Sequence, residues 1–290
     1  MQVIPLAAES LGTRSMATYV KTRTVGVLID PGVDLSPKRF GLPPHELELA
    51  KMNEAWVLIE SQADASDVVL LSHFHHDHFS PEHFAVFRGK KAYLKHPRSH
   101  INRNQKTRAL DLLARLKGVS DVVTYADGRR FSLDGVSLSF SKAVPHGIDY
   151  ARGFVVQVCI EDDRRFLHTS DVQGLPLDEH MEFVLESDPH ILYVDGPMAF
   201  MPGEGYDSKY FHAVNTNLSE VIRETGVETV IIDHHMTRDL EYEQHISGAR
   251  RVAEEHGVRI VTAAEFLGRK PELLEARRKE LYEGSVTNGG

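Results

Sequence analysis

A chain of 290 residues has room for one or two domains with a large buried core. Its hydrophobic and charged fractions, 41% and 26%, are typical of a soluble globular protein, and its net charge of −9 gives no global reason to expect nucleic-acid binding. The single cysteine, Cys159, excludes an intramolecular disulfide and a cysteine-rich metal cage. No apolar run approaches the roughly 18 residues of a membrane span, and no signal-peptide pattern opens the chain. We therefore expect a cytoplasmic protein without membrane contact.

The first third of the chain is predicted to contain short strands and one long helix. The helix should run from about Pro44 to Gln62, because its apolar residues recur at three- and four-residue steps. A second helix is predicted to begin at Ser80-Pro81, since serine is a frequent cap and proline suits the first helical position. β-branched and apolar runs bounded by turn residues predict strands at 2–7, 16–21, 24–30 and 66–71.

The remainder of the chain is predicted to be rich in strands and to end in alternating helix and strand. Asp134-Gly135 is a hairpin signal between two of the strands. Cys159 lies in a strand pattern, which favours a small buried apolar role over a nucleophilic one. Strands are expected at Val122–Tyr125, Arg130–Leu133, Val136–Phe140, Phe154–Ile160, 165–171, 191–195, 227–233 and Val258–Thr262, and helices at Glu241–His256 and Pro271–Glu283. Without a linker or a repeat, one domain over residues 1–290 is the simplest interpretation.

The strand at 66–71 runs directly into the most informative motif, His73-x-His75-x-Asp77-His78. In an extended segment alternate side chains share a side, so His73 and His75 can converge on one ion. The turn that follows can direct Asp77 and His78 to a second ion. Imidazole and carboxylate without thiolate suit zinc, iron or manganese. The alternative is a chance histidine-rich loop in a chain with 17 histidines, but residue type, spacing and position all favour a metal site.

Further ligand-type residues follow later strands of the chain. Open α/β sheets collect ligands at the carboxyl ends of their strands, so we expect these residues to meet the motif at one edge. They are His146, Asp171, Asp195 and the pair His234 and His235.

This order of motifs resembles the metallo-β-lactamase superfamily, whose members carry H-x-H-x-D-H, then a lone histidine, an aspartate and a final histidine after a strand. More narrowly, the chain is similar to a largely archaeal group of metal-dependent hydrolase-like proteins, through Asp30-Pro31-Gly32, Ser170-Asp171-Val172-Gln173-Gly174 and the segment 262–268. The resemblance implies an α/β fold, a four-layer αβ/βα sandwich, with the metal site at one edge of the two sheets.

The resemblance also implies a ligand set for two divalent ions, expected to be zinc, with manganese or iron as alternatives. His235 competes with His234 for the last position, and Asp195 is expected behind the ligands. The implied ligands are His73, His75 and His146 for the first ion, Asp77, His78 and His234 for the second, and Asp171 between the two.

Two such ions about 3.5–4 Å apart would share a bridging hydroxide that attacks a carbonyl carbon or phosphorus. Asp77 is the predicted catalytic residue, because it could orient that hydroxide; the candidates for protonating the leaving group are His168, His212 and His235. The predicted function is a dinuclear metal-dependent hydrolase acting on a phosphodiester or another small anionic substrate. The alternatives are a lactone or ester hydrolase on the same site, a non-catalytic metal-binding scaffold, and a diiron redox protein, a branch that typically has glutamate where His75 stands.

Residues 88–108 hold eight lysines and arginines and no acid. Such a run is usually a solvated face, but it could also form a rim that binds a small anionic substrate or a short nucleic acid. The sequence leaves a homo-oligomer open.

Overall fold

The computed structural model of the protein describes residues 1–201 and 206–287. Two large β-sheets form its centre. The first sheet has six strands whose spatial order follows the chain. They are β1 (Gln2–Pro5), β2 (Thr18–Lys21), β3 (Gly26–Ile29), β4 (Val68–Leu71), β5 (Lys91–Leu94) and β6 (Val122–Tyr125).

The second sheet has seven strands. A separate two-stranded ribbon lies between the second and third of these strands in chain order. The ribbon pairs β9 (Val144–Pro145) with β10 (Phe154–Val155). The strands of the sheet are β7 (Arg130–Leu133), β8 (Val136–Phe140), β11 (Val158–Glu161), β12 (Arg165–His168), β13 (Ile191–Val194), β14 (Thr229–Ile232) and β15 (Arg259–Val261). Their spatial order is β15-β14-β13-β12-β11-β8-β7.

Helices connect the parallel strands of both sheets. The longest, α1, begins after His45, whose ring nitrogen accepts from the Leu47 N–H while Glu48 accepts from the His45 N–H, so both ends of this capping pair are satisfied. The helices are α1 (Glu46–Asp64), α2 (Arg103–Leu116), α3 (Asp178–Ser187), α4 (Ser208–Glu224), α5 (Tyr242–His245), α6 (Ser247–His256), α7 (Ala263–Phe266) and α8 (Arg278–Thr287).

Strand direction decides where the site can form. Strands β3 to β6 are mutually parallel, and so are β12 to β15. Parallel strands end at the same edge of their sheet, so the segments after β4, β12, β13 and β14 collect at carboxyl edges. A hydrogen bond of 2.6 Å between the hydroxyls of Ser72 and Ser170 shows that the two edges meet.

Three apolar clusters divide the molecule into four layers. Inward residues of both sheets, such as Ile29 and Phe166, pack together in the central cluster. A second cluster joins the outer face of the first sheet to α1 and α2, and a third joins the outer face of the second sheet to α3, α4 and α6. This is the αβ/βα sandwich of the metallo-β-lactamase fold, and the sequence-based expectation is confirmed. One domain over residues 1–290 stays a prediction.

Several element predictions were wrong in detail. No α-helix begins at Ser80; its hydroxyl accepts from the Glu82 N–H, and only a 3-10 helix, Phe84–Phe87, fits before β5. The strand expected at 154–160 is interrupted, because the Val156 N–H donates to the Ser72 carbonyl and the Gln157 N–H donates to the Ser141 hydroxyl. This break ties the second sheet to the segment that follows β4.

The last helix is also shorter than its composition predicts. It begins at Arg278, not at Pro271. The preceding segment is held instead by tertiary contacts: the Glu272 N–H donates to the Ser10 carbonyl, and Glu275 pairs with Arg14. The helix predicted at 241–256 is divided into α5 and α6 around residue 246. Over residues 1–201 and 206–287, we find no helix with the length and apolar character needed to cross a bilayer.

A buried ion pair attaches α8 to α1. The Arg278 guanidinium, which is fully buried, donates from Nε and Nη2 to the two oxygens of Glu48, both at 2.7 Å. Arg278 also donates from Nη1 to the carbonyls of Ser36 and Leu42. The pair therefore joins the loop before α1, α1 itself and the last helix.

Replacing Arg278 by methionine should lower the free energy of unfolding by about 3–5 kcal/mol, because the buried Glu48 carboxylate loses its counter-charge. Chemical denaturation of wild type and Arg278→Met measures this loss. The control is Lys279→Met: Lys279 is exposed and, within residues 1–201 and 206–287, its one ion pair is with Glu283, so its loss should stay below about 1 kcal/mol. Equal losses in the two variants would contradict the structural role of the pair.

Burial raises the pKa of the Cys159 thiol to about 12. The thiol should therefore remain protonated and unreactive towards iodoacetamide at about pH 9, where an exposed cysteine with its usual pKa of about 8.5 is mostly thiolate. Intact-mass spectrometry should show no adduct on the native protein and one adduct after denaturation in guanidinium. Rapid alkylation of the folded protein would show that the thiol is accessible.

Candidate metal centre

The predicted motif occupies the segment that leaves β4. His73 and His78 are fully buried, whereas His75 and Asp77 are partly exposed. His73 Nε2 lies 3.0 Å from His75 Nδ1, so the two rings direct different nitrogens to the same point. The other nitrogen of His75, Nε2, lies 3.2 Å from the side-chain amide of Gln105, on α2. The strand-end geometry expected from the sequence is thus present.

The second sheet and its ribbon supply the remaining predicted residues. His146 follows β9, Asp171 follows β12, and Asp195 follows β13. His234 and His235 follow β14 and begin a turn into the 3-10 helix Met236–Arg238. The structure therefore brings every predicted site residue to the edge where the two sheets meet.

The first group that could hold an ion consists of three histidines and one aspartate. The potential ligand atoms of His73, His75, His146 and Asp171 lie within 4.8 Å of one another. Asp171 Oδ2 is 3.0 Å from His146 Nε2 and 3.5 Å from His73 Nε2.

The second group shares Asp171 with the first. Asp171 Oδ1 lies 3.0 Å from His78 Nε2 and 3.5 Å from His234 Nε2. Asp77 Oδ2 lies 3.6 Å from the same nitrogen of His234. Asp171 thus presents one carboxylate oxygen to each group, which is the arrangement that a bridging carboxylate requires.

These residues fit divalent metal ions. His78 Nε2 and Asp171 Oδ1 are buried 3.0 Å apart without the geometry of a hydrogen bond, and within residues 1–201 and 206–287 no other group forms a hydrogen bond with either atom. Buried polar atoms without partners are rare, because each one loses its solvation on folding. A donor set of imidazole nitrogens and carboxylate oxygens is one that zinc, iron and manganese accept.

His234 and His235 face the cluster in different ways. His234 Nε2 lies among the atoms of the second group, and its Nδ1 is 2.7 Å from Glu9 Oε2. His235 Nδ1 is 2.7 Å from Asp195 Oδ2, and its Nε2 is 3.9 Å from Asp171 Oδ2. The geometry favours His234 as the final ligand, with His235 at the border of the first group.

Asp195 contacts the ring nitrogen of His235 opposite the one that faces Asp171. Its carboxylate accepts hydrogen bonds from the Gln173 and Gly174 N–H groups and contacts His235. These contacts fix the orientation of the His235 ring. The assignment of each residue as a ligand stays a prediction, because distances alone identify a candidate site.

Asp30 is a supporting residue whose role the sequence did not reveal. Its Oδ2 lies 2.9 Å from His78 Nδ1 and accepts from the Ser72 hydroxyl, which in turn lies 3.0 Å from His73 Nδ1. One buried carboxylate therefore orients one histidine of each group. The following turn must be narrow, since a Cβ on Gly32 would lie 2.1 Å from the Phe79 nitrogen.

Glu9 and Arg238 also support the site, and nothing in the sequence indicated either role. Glu9 Oε1 accepts from Arg238 Nε at 2.5 Å while its other oxygen contacts His234. Arg238 Nη2 lies 3.2 Å from His234 Nε2 and 3.9 Å from Asp77 Oδ2. No local spacing could have signalled these contacts, because Glu9 stands 225 positions before His234.

Burial and neighbouring charges shift the pKa values of the clustered residues in different directions. Burial, with the nearby His78, lowers the pKa of His73 to about 4, so its ring is neutral at pH 7. Burial alone would raise the pKa of Asp171, but the adjacent His78 and His234 hold it well below its ordinary value. For a histidine the effect of burial is the opposite: burial alone would lower the pKa of His234, but Glu9 and Asp171 raise it to about 9. The central carboxylate is therefore ionised and surrounded by imidazoles.

The three candidate proton donors are separated by position. His168 is fully buried, with Nε2 near the Met16 carbonyl and Nδ1 accepting from the Ser170 N–H. His212 is exposed on α4. His235 is the candidate that borders the ligand cluster.

The basic stretch 88–108 spreads over several environments. Lys95 is buried and paired with Asp127, and Lys90 donates to the Ser66 carbonyl. Arg108 is closer to the motif, donating to the Phe74 carbonyl. Whether the stretch binds an anion stays a prediction.

Relatives identify the family of the chain. A UPF0282 protein of Metallosphaera sedula is 41% identical over 287 residues, covering 97% of this chain and 93% of that protein. A UPF0282 protein of Korarchaeum cryptofilum is 41% identical over 285 residues, covering 98% and 95%. The chain belongs to the UPF0282 family. The predicted similarity to a largely archaeal group of proteins is confirmed. No model of a protein family matches the chain.

Solved structures with low sequence identity share the fold. An isothiocyanate hydrolase from Delia radicum gut bacteria superposes with a TM-score of 0.53 at 15% identity, covering 86% of this UPF0282 chain and 94% of that chain. A possible metal-dependent hydrolase from Veillonella parvula gives 0.55 at 12% identity, with coverages of 86% and 94%. A metallo hydrolase from Ignicoccus hospitalis gives 0.50 at 16%, covering 93% and 95%. At these identities the likeness concerns the fold.

Replacing Asp30 by asparagine should weaken zinc binding by about 10- to 100-fold, because His78 loses the carboxylate that orients its ring. Competition with a chromophoric chelator measures the affinity. The control is Asp67→Asn, at the opposite end of β4, where the carboxylate accepts from the Gly26 N–H. An unchanged zinc affinity in Asp30→Asn, with the fold intact, would refute the supporting role.

Proposed function

We propose that the protein is a dinuclear metal-dependent hydrolase that acts on a phosphodiester or another small anionic substrate. The observation that carries the proposal is the position of Asp171, with one oxygen at His73 and His146 and the other at His78 and His234. In this proposal Asp171 would contribute to the binding of both ions. His73, His75 and His146 would hold the first ion, and Asp77, His78 and His234 would hold the second.

Two divalent ions, with zinc the expected metal and manganese or iron the alternatives, would supply a Lewis acid and lower the pKa of a nucleophilic water. The residues of the chain would bind the ions and orient the water and the substrate. Asp77 has 18% of its side chain exposed, and its Oδ2 lies beside His234. It can therefore accept a hydrogen bond from an entering water at the open side of the cluster and align that water with the substrate.

His235 is the residue we assign to protonation of the leaving group. Of the three candidates, it is the one whose Nε2 faces the cluster, and Asp195 holds its other nitrogen. His168 uses both ring nitrogens in backbone contacts, and His212 lies on the exposed face of α4. A fixed ring next to the reacting atoms meets the geometric requirement for a general acid. Burial lowers the pKa of His235 well below its ordinary value, so in this proposal the ring takes up a proton only in the complex with an anionic substrate and then donates it to the leaving group.

Local charge favours an anionic substrate over a neutral lactone or ester. The Arg238 guanidinium lies at the second ligand group, 3.9 Å from Asp77. A positive group in this position would bind a non-bridging phosphate oxygen and would gain little from a neutral acyl group. The presence of His75 and of every other implied ligand argues against both a degenerate scaffold and the diiron redox branch.

The test combines metal analysis with turnover. Purified wild type should contain about two equivalents of divalent metal and hydrolyse bis(p-nitrophenyl) phosphate. His75→Ala should lose metal and lower turnover by at least about 100-fold, because an interaction that stabilises transition-state charge is removed.

The control variant is His212→Ala, which should keep both metal content and turnover because the ring is exposed on α4. Absence of metal after reconstitution with zinc, manganese and iron would overturn the dinuclear proposal. Two metals with turnover of p-nitrophenyl acetate but of no phosphodiester would overturn the substrate class.

A further inference from the structure

Arg14, Arg39 and Arg238 lie close enough for their charges to interact, and carboxylates neutralise two of them. Arg14 donates from Nε and Nη2 to the two oxygens of Glu275, both at 2.6 Å. Arg238 donates from Nε to Glu9. In each case a buried acid balances the guanidinium.

Arg39 is the third, and its surroundings differ. It lies in the loop before α1, and its Nη2 donates to the Arg238 carbonyl at 3.0 Å. Within residues 1–201 and 206–287 no carboxylate forms an ion pair with Arg39, and its Nε is buried without a hydrogen-bond partner. A half-buried cation with an unused donor is costly unless something else binds it.

Aromatic rings hold the Arg39 guanidinium in place. Its central carbon lies 4.6 Å from the ring centre of Phe40 and 5.0 Å from that of Phe200. Contacts of this kind stabilise a guanidinium while leaving the edge of its plane available to an anion. Phe40 itself is 55% exposed, so the outer end of this group is open to solvent.

The same Phe200 ring connects Arg39 to the ligand cluster. The Arg238 guanidinium carbon lies 5.3 Å from its centre, and Arg238 Nη2 lies 3.2 Å from His234 Nε2. Two guanidiniums therefore share one ring: Arg238 touches the second ligand group, where Glu9 balances its charge, and Arg39 contacts both this ring and the exposed Phe40 ring. Arg39 is the guanidinium of the two whose charge no ion pair balances within residues 1–201 and 206–287.

We propose that Arg39 selects anionic substrates at this centre by binding a negatively charged non-bridging oxygen of a phosphodiester, while Phe40 contacts an apolar or aromatic group that the ester carries. The inference rests on the proposed hydrolase function and names its substrate class more narrowly. Arg39 Nη2 donates to the Arg238 carbonyl and its Nε is buried, so the donor that would reach a phosphate oxygen is Nη1. Arg238, bound to Glu9 and next to His234, positions the reacting end of the same substrate.

Inorganic phosphate is the binding probe. Isothermal titration calorimetry on the zinc-loaded full chain should show that Arg39→Gln weakens phosphate binding by about 10- to 100-fold, the effect of losing one charge-assisted hydrogen bond. Arg39→Lys, which keeps the charge without the planar edge, should give an intermediate loss. The matched control is Arg129→Gln: Arg129 lies 4.8 Å from the Phe131 ring centre at the edge of the second sheet, and its removal should leave the affinity unchanged.

Kinetics supply the second measurement. Arg39→Gln should raise KM for bis(p-nitrophenyl) phosphate with a smaller change in kcat. The loss in kcat/KM should be at least about tenfold greater than the loss for neutral p-nitrophenyl acetate, because the neutral ester offers Arg39 no charge. Equal losses for the two esters would overturn the proposal.

Titrating the metal-free protein as well separates this inference from the proposed function. If wild type holds no metal, the hydrolase proposal fails, yet the difference in phosphate affinity between wild type and Arg39→Gln is still measured. Equal phosphate affinity in the two proteins, with thermal denaturation showing that both are folded, would overturn the assignment of Arg39. A loss confined to the variants of Arg39 would support it.

Discussion

The structure depends on one buried carboxylate. Asp171 is almost completely enclosed where the two sheets meet, and four imidazoles lie within 3.5 Å of its oxygens. A carboxylate in such a place is unstable without compensating positive charge or hydrogen bonds. Because the histidines of the motif belong to the first sheet and Asp171 to the second, neutralising this one group requires the whole sandwich to assemble.

Carboxylates also contact the outer ring nitrogens of three histidines in the cluster. Asp30 contacts Nδ1 of His78, Glu9 contacts Nδ1 of His234, and Asp195 contacts Nδ1 of His235. Each contact fixes the plane of a ring and directs its Nε2 inwards, a familiar feature of metal-binding histidines. The three acids come from three separate parts of the chain. The cluster is thus pre-oriented by the protein, so that ions would enter a site whose geometry already exists.

The sequence predicted which residues meet at the sheet edge, because that signal is local. The motif after β4 needs only the alternation of an extended segment, and Asp171, Asp195 and His234 each follow an apolar strand. The carboxyl ends of parallel strands lie at the same edge of a sheet, so residues that follow successive strands in the chain lie close together in the structure. The layer architecture came from the family resemblance, and the packing of the two sheets agrees with it.

Contacts that depend on distant partners were not predictable. Glu9, Arg39 and Arg238 lie outside any motif, and their meeting follows from how loops cross the sheet edge. The longer helix expected from Pro271 did not form because tertiary contacts to Ser10 and Arg14 overrode local preference. At Ser80 the hydroxyl accepts from the Glu82 N–H in a local turn, and only the 3-10 helix Phe84–Phe87 follows.

The contact between Glu9 and His234 has a consequence for the biosynthesis of the protein. The first supporting carboxylate emerges from the ribosome long before the histidine that it orients, and Asp171 appears between them. The early motif alone therefore offers a growing chain an incomplete and weakly held set of donors. In the proposed dinuclear site, the full set of donors exists only once the second sheet has been synthesised and has docked, so the early motif by itself would hold an ion more weakly than the finished site.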